Sequence, residues 1–153
     1  YAAGLSLKEE NLDAFTQRFL KLAADEIIPE QMTPQIDIDA VLDLQDINAK
    51  FMSELKKMNP FGPDNQKPVF CSLGVKDYGT SKLVGKDLEH IKLELIDDKS
   101  NTPIHGIAFG MHQHNTHIKN MKPFNICYTI EENTYNGNTS LQLMVKDIKE
   151  NDI

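Results

Sequence analysis

The fold is decided by two alternating stretches on either side of a tight turn, residues 124–145, FNICYTIEENTYNGNTSLQLMV. Apolar side chains occupy every second position in both stretches: Phe124, Ile126, Tyr128 and Ile130, then Leu141, Leu143 and Val145. Asn136-Gly137 lies between them and is typical of a type I′ turn, whose two central residues both need positive φ. The stretch therefore predicts a β-hairpin with one buried face, because side chains alternate between the two faces of a strand.

Three further strands are predicted ahead of this hairpin. They cover residues 69–76, 90–96 and 103–109, each a short run rich in apolar and β-branched residues. Five or so short strands, many joined by tight turns, favour a small closed or nearly closed barrel. Because helical patterns come before the strands, we expect an α+β protein in which an N-terminal helix or helices precede a mostly antiparallel β-barrel.

Two helices are predicted at the start of the chain. The first runs from Leu7 to about Ile27, opens on a Ser6/Glu9 capping box, and has one apolar face: Leu12, Phe15, Phe19, Leu22 and Ala23. The second runs from near Asp46 to Pro60. Between the two helices, residues 35–39 alternate between polar and apolar side chains and predict a short strand.

The formal net charge of −7 is of the wrong sign for a protein that attracts nucleic acid over its whole surface. Residues 1–58 are acidic overall, whereas residues 59–96 are neutral and leave room for a local basic strip. No apolar run approaches the roughly 18 residues needed to cross a bilayer. Cys71 and Cys127 lie among apolar residues, which favours reduced thiols in the cytoplasm over a disulfide.

Three stretches are more specific than the periodicity. The first is AAGLSL at residues 2–7, and the second is PFGPDNQKPVF at residues 60–70. The third is divided among HIKL at residues 90–93, GIAF at residues 106–109 and YNGNTSLQL at residues 135–143. In this order they resemble the RecJ family of single-strand-specific DNA exonucleases.

The resemblance implies two domains. Residues 1–30 would be the C-terminal helix of a truncated DHHA1-type domain, and residues 31–153 an oligonucleotide-binding (OB) domain. It also implies a parent enzyme that degrades single-stranded DNA from the 5′ end in repair and recombination, with Mn²⁺ or Mg²⁺ in an Asp-His-His phosphoesterase domain. Two such ions clamp the attacking and leaving oxygens of a phosphodiester. No Asp-His-His triplet occurs in the sequence, so we expect neither catalytic residues nor a cofactor in this chain.

Most candidate DNA-binding residues are basic. They are Lys67, Lys76, Lys82, Lys86, His90, Lys92, Tyr135 and Gln142. Lysines on barrel strands neutralise phosphates, and an aromatic ring beside an amide can stack on a base and hydrogen-bond to it. The alternatives are a merely solvated sheet face and a tyrosine that packs within the hairpin. Four phenylalanines are interpreted instead as core or domain-interface residues: Phe61, Phe70, Phe109 and Phe124.

The segment 111–120 contains three histidines, His112, His114 and His117, and allows a metal hypothesis. No Cys, Asp or Glu within the segment completes a tetrahedral set, so a solvent-exposed polar loop is the preferred interpretation.

The main alternative to DNA binding is a structural or interaction role, in which the domain braces the catalytic core or docks single-strand-binding protein. The acidic surface favours this alternative. The apolar face of the first helix also predicts that the helix either folds back on the barrel or pairs with a second copy of the chain, and we favour self-association.

Overall fold

The computed structural model describes residues 3–28, 32–100, 102–135 and 137–151, and the chain divides into two units, Tyr1–Ile36 and Asp37–Ile153. Among these residues, no helix has the length and apolar character that a membrane span requires.

The first unit contains helix α1 (Leu12–Glu26), which follows a 3₁₀ turn over Glu9–Asn11. The predicted capping box is wrong: in the 3₁₀ turn the N–H of Asn11 donates to the carbonyl of Lys8 at 3.0 Å, so the α-helical turn that a Ser6 cap requires is not present. No residue of α1 is buried, and the rings of Phe15 and Phe19 stack with centroids 5.8 Å apart.

The second unit contains two helices and seven strands among its described residues. The helices are α2 (Ala49–Lys56) and α3 (Asn115–Lys119). The strands are β1 (Ala40–Val41), β2 (Phe70–Asp77), β3 (Lys82–Val84), β4 (His90–Ile96), β5 (Ile104–Ala108), β6 (Phe124–Tyr135) and β7 (Asn138–Glu150).

The strands form one mixed sheet in the order β1-β2-β6-β7-β5-β4-β3, in which β1–β2 and β5–β7 are parallel and the other pairs are antiparallel. A second pairing of β2, through Lys76/Ile96 and Asp77/Leu95, joins it to β4. The five strands β2, β4, β5, β7 and β6 therefore form a ring that closes through a short junction. A helix followed by a mostly β domain with this ring of strands is OB-like, so the predicted α+β fold class is confirmed, although the sheet is mixed and not a clear barrel.

The core follows the two-residue period of the strands. Its fully buried members include Val75, Ile91, Leu93, Leu95, Ile118, Phe124, Tyr128 and Leu143. A fully buried apolar side chain contributes roughly 1.5–3 kcal/mol, so these positions fix which face of each strand points inward. On β4 they leave His90 and Lys92 on the outer face, as predicted.

Two predicted elements near the start of this unit are displaced. The first strand is Ala40–Val41 rather than residues 35–39, because pairing with β2 begins only at Ala40/Phe70. Helix α2 begins after Asn48, whose Oδ1 accepts from the N–H of Phe51 at 3.0 Å. The predicted start at Asp46 instead lies in a 3₁₀ turn.

A buried polar network fixes the turn into β3. The carboxylate of Asp77, which is 1% exposed, accepts from the N–H of Ser81 at 3.1 Å, and Ser81 Oγ accepts from the N–H of Glu94 at 3.0 Å. Burial would raise the pKa of Asp77, but hydrogen bonds from Ser81 and Gly79 and the charge of Lys119 outweigh it and hold the pKa below its ordinary value. The network ties β3 to β4.

A second network ties the segment after β1 to the barrel. Ser72 Oγ donates to the carbonyl of Leu42 at 2.7 Å, so the Tyr128 hydroxyl, 2.7 Å away, must donate to Ser72. Burial raises the pKa of Tyr128 and keeps this donor protonated. Cys71 and Cys127 face each other on β2 and β6 as free thiols, and burial raises the pKa of both.

Candidate nucleic-acid interface

The structure divides the predicted basic strip into paired and unpaired lysines. Lys67 Nζ lies 2.7 Å from Glu131 Oε1, and Lys76 Nζ lies 3.1 Å from Asp98 Oδ1. Within the described ranges, the other three lysines have no carboxylate oxygen within 4.0 Å: Lys82, Lys86 and Lys92. A lysine that is already paired offers less net charge to a phosphate, so the strip narrows to these three.

Lys82 and Lys92 lie directly opposite each other on β3 and β4, and both are exposed. Like charges at directly opposed positions of an antiparallel pair are destabilising. No acid in the described part of the chain pairs with either lysine to relieve this repulsion, whereas a bound anion would. The pair therefore forms a site whose electrostatics favour a phosphate.

Lys86 lies in the turn between these two strands. Gly85 has φ 96°, a conformation that strains any residue with a side chain, and a Cβ at this position would lie 2.6 Å from Glu89 Oε2, so the Glu89 side chain would have to shift. The same carboxylate oxygen accepts from the N–H of Asp87 at 2.9 Å. Hydrogen bonds from the backbone of Glu89 itself and of Asp87 hold the pKa of Glu89 below its ordinary value. The turn is thus internally braced, and a carboxylate lies at its end.

The ring of His90 contacts the ring of Phe109 on the outer face of β4. The rings of His90 and Phe109 meet edge to face, with centroids 4.9 Å apart and planes at 80°. His90 Nδ1 accepts from the N–H of Gly110 at 3.0 Å, so the ring hydrogen is on Nε2, which lies 3.3 Å from Glu89 Oε1. Gly110 has φ 68°, a conformation that glycine adopts without strain.

Phe109 is 55% exposed, so it is not a core residue of this domain, and its alternative interpretation as a domain-interface residue stays a prediction. In β5 the two-residue period places Gly106 and Ala108 inward, and Phe109 is therefore directed outward. Phe70 and Phe124 are buried as predicted, and Phe61 is half-buried. The sequence analysis left core and domain interface open for Phe109, and the alternation of residues 106–109 favours a surface position.

The family model described as RecJ OB domain matches residues 38–147. The chain belongs to this family.

The chain is similar to larger proteins along almost its whole length. It is 27% identical over 148 residues to the single-stranded-DNA-specific exonuclease RecJ of Haemophilus influenzae, an alignment that covers 97% of the chain and 25% of that protein. It is 26% identical over 147 residues to the RecJ of Bacillus subtilis, covering 95% of the chain and 18% of that protein. The chain therefore spans a quarter or less of these curated relatives.

A solved structure shares the fold. The crystal structure of RecJ in complex with Mn²⁺ from Thermus thermophilus superposes with a TM-score of 0.74 at 17% identity, over 98% of this chain and 21% of that one. A second structure, of RecJ from the same organism in complex with Mg²⁺, gives a TM-score of 0.72 at 16% identity, over 97% of this chain and 21% of that one.

Of the remaining two predicted contacts, Gln142 and Tyr135, the structure describes the side chain of Gln142 alone. Gln142 is half-buried on β7, between His105 of β5 and Glu131 of β6 in the sheet register. His105 in turn lies opposite Glu94, so this row of the sheet ends in a carboxylate at either side. The backbone of Tyr135 ends β6, but its side chain lies outside what the structure describes.

The three histidines of segment 111–120 do not form the predicted exposed loop. His114 Nδ1 lies 2.7 Å from Glu150 Oε1 and His117 Nδ1 lies 3.2 Å from Glu150 Oε2, while His112 is exposed. The segment is helical because α3 buries Ile118 in the core, which draws His117 inward. Across the described ranges, no group of three His, Cys, Asp or Glu side chains is arranged to hold a metal ion.

Proposed function

We propose that residues 31–153 are the single-stranded-DNA-binding OB module of a RecJ-like exonuclease. The observation that carries the proposal is the unneutralised Lys82/Lys92 pair on the outer face of the barrel, with Lys86 in the adjoining turn. OB domains bind a single strand through positive charge that follows its backbone and through stacking on aromatic rings. The family membership and the exposed Phe109 support the same function.

The proposal for the longer parent protein depends on the relatives of this chain. We propose a cytoplasmic enzyme that hydrolyses single-stranded DNA in the 5′ to 3′ direction in repair and recombination. Residues 1–30 would form the C-terminal helix of a DHHA1-type domain. The described residues do not fit a Mn²⁺ or Mg²⁺ site, so we assign that metal, and the hydrolysis, to other parts of the parent.

Binding to labelled oligonucleotides at several salt concentrations tests the DNA-binding proposal. A single strand should bind more tightly than a duplex, and the slope of log K against log salt should be about −2, from roughly −0.7 for each of three phosphate contacts. The variant Lys82→Gln, Lys86→Gln, Lys92→Gln removes these charges, and its slope should approach zero.

The paired lysines provide the matched control. The double variant Lys67→Gln, Lys76→Gln removes two charges that Glu131 and Asp98 already neutralise, and it should keep most of the wild-type slope. A control variant that loses as much slope as the triple variant would place the site elsewhere. Failure of the wild type to bind at low salt would refute the DNA-binding function.

The exposed apolar face of α1 favours a second role in association. Leu12, Phe19 and Leu22 are each more than half exposed. Covering such residues releases roughly 25 cal/mol for each Å² of apolar surface. We propose that the isolated chain self-associates through this face.

An alternative function for the whole chain is to brace the catalytic core or to dock single-strand-binding protein. Binding of that protein without any binding of DNA would favour the alternative.

A further inference from the structure

We propose that Phe109, whose ring packs at 80° to the ring of His90, is the stacking platform for one nucleobase of the bound strand, and that the phosphate of the same or the adjacent nucleotide contacts Lys82 and Lys92. This inference rests on the proposed DNA-binding function and assigns a base-recognition residue within it.

The exposure of Phe109 is the first argument. Its ring is 55% exposed, although the preceding residue, Ala108, is fully buried. Phe109 contacts His90, which lies two residues before Lys92 on the same face of β4. A base on the ring and a phosphate at the lysine pair would therefore each have a partner on this surface. Stacking of a base on an aromatic side chain is a main source of affinity in single-strand binding and tolerates any base.

The second argument is that the ring is preorganised. His90 meets Phe109 edge to face, and the N–H of Gly110 fixes the His90 ring through Nδ1. A side chain that must be immobilised on binding loses conformational entropy, which weakens the affinity. A ring already held by its neighbour avoids much of this cost.

The third argument distinguishes a base from a phosphate at this position. Glu89 Oε1 lies 3.3 Å from His90 Nε2, and hydrogen bonds from the backbone of Glu89 itself and of Asp87 keep this carboxylate ionised. A phosphate beside a carboxylate is repelled, whereas a neutral base is not. The cross-strand pair that contains His90 therefore favours a base, and the pair that contains Lys92 favours a phosphate.

The distance between these two cross-strand pairs is compatible with the base and phosphate of one nucleotide. His90 and Lys92 are two residues apart on the same face of β4, a separation of about 7 Å at 3.3–3.4 Å per residue. Val84 and Lys82 are their partners on β3. Base and phosphate are covalently joined, so engagement of one places the other.

The test compares Phe109→Leu with Phe109→Tyr, which keeps an aromatic ring, and with Phe19→Leu, which removes an equally exposed ring from α1. Each is titrated with an oligothymidylate and with an abasic strand of the same length. We expect Phe109→Leu to weaken oligothymidylate binding at least about fivefold, the equivalent of about 1 kcal/mol. Binding of the abasic strand and the salt slope should not change. Phe109→Tyr and Phe19→Leu should bind like the wild type.

Three other outcomes would overturn the inference, and they can be distinguished from one another. Wild-type affinity in a folded Phe109→Leu variant excludes the platform but leaves DNA binding intact. Equal losses for both strands show that Phe109 acts only through the shape of the site. A wild type that binds neither strand overturns the proposed function together with the inference.

Discussion

Changing the charge of one lysine in the Lys82/Lys92 pair should raise the stability of the free domain while lowering its affinity for DNA. The two residues are opposite each other and have no acidic partner within the described part of the chain. In Lys92→Glu the repulsive pair becomes an attractive one. Cross-strand pairs of opposite charge contribute roughly 0.2–1 kcal/mol, and like charges destabilise by a similar order.

Screening by solvent limits how much this charge pair changes the free energy of unfolding. Two charges roughly 5 Å apart in water interact with roughly 0.8 kcal/mol, and exposed lysines bend away from each other, so only part of this is realised. We therefore expect Lys92→Glu to raise the free energy of unfolding by about 0.5 kcal/mol at low salt. Lys82→Glu should do the same, and the variant with both changes should lose the gain because it restores a like-charged pair.

Urea unfolding of the four charge combinations gives the coupling energy directly. At about 1 M salt the Debye length falls to roughly 3 Å, and the coupling should disappear. Lys76→Glu is the control, since it breaks the pair with Asp98 and should give no gain. A coupling energy of zero at low salt, or one that persists at high salt, would contradict the argument that this pair is a preformed anion site.

The buried networks and α1 lead to three further predictions. Asp77→Asn should lower stability at neutral pH, because the pKa of Asp77 is depressed in the folded state; the stabilisation is present above the ordinary value of about 3.9 and is lost as pH falls through the lower folded value. Wild type and variant should therefore converge in urea titrations below that pH. Tyr128→Phe should cost about 1 kcal/mol by removing the donor to Ser72, measured as the shift in urea midpoint at unchanged slope. Phe15→Ser with Phe19→Ser should convert a self-associating chain to a monomer in sedimentation velocity; a wild type that is already monomeric would count against this.

The long strands were predictable because each keeps its two-residue period over many positions. The prediction of β4 at residues 90–96 agrees with the structure to the residue. The hairpin of β6 and β7 extends further than predicted, and its register shifts once, at an irregularity between Cys127 and Tyr128 that the alternation does not reveal. Strand β3 was missed because three residues, Lys82–Val84, are too few to show a period. Its position depends on the bonds of Asp77 and Ser81 to segments up to 13 residues away, which no local pattern reveals.

The candidate site shows why a list of lysines does not define a binding surface. Whether a lysine is available depends on partners that are distant in sequence: Lys67 finds Glu131 and Lys76 finds Asp98 only after the barrel has closed. Phe109 presents the opposite case, since its outward direction follows from alternation along β5, but the general preference of phenylalanine for the core argued against it. Where a strand alternates regularly, the alternation is a stronger argument than the general preference of a residue type. The surface formed by β3, β4 and the end of β5 therefore concentrates charge and an aromatic ring that the sequence presents as unrelated residues.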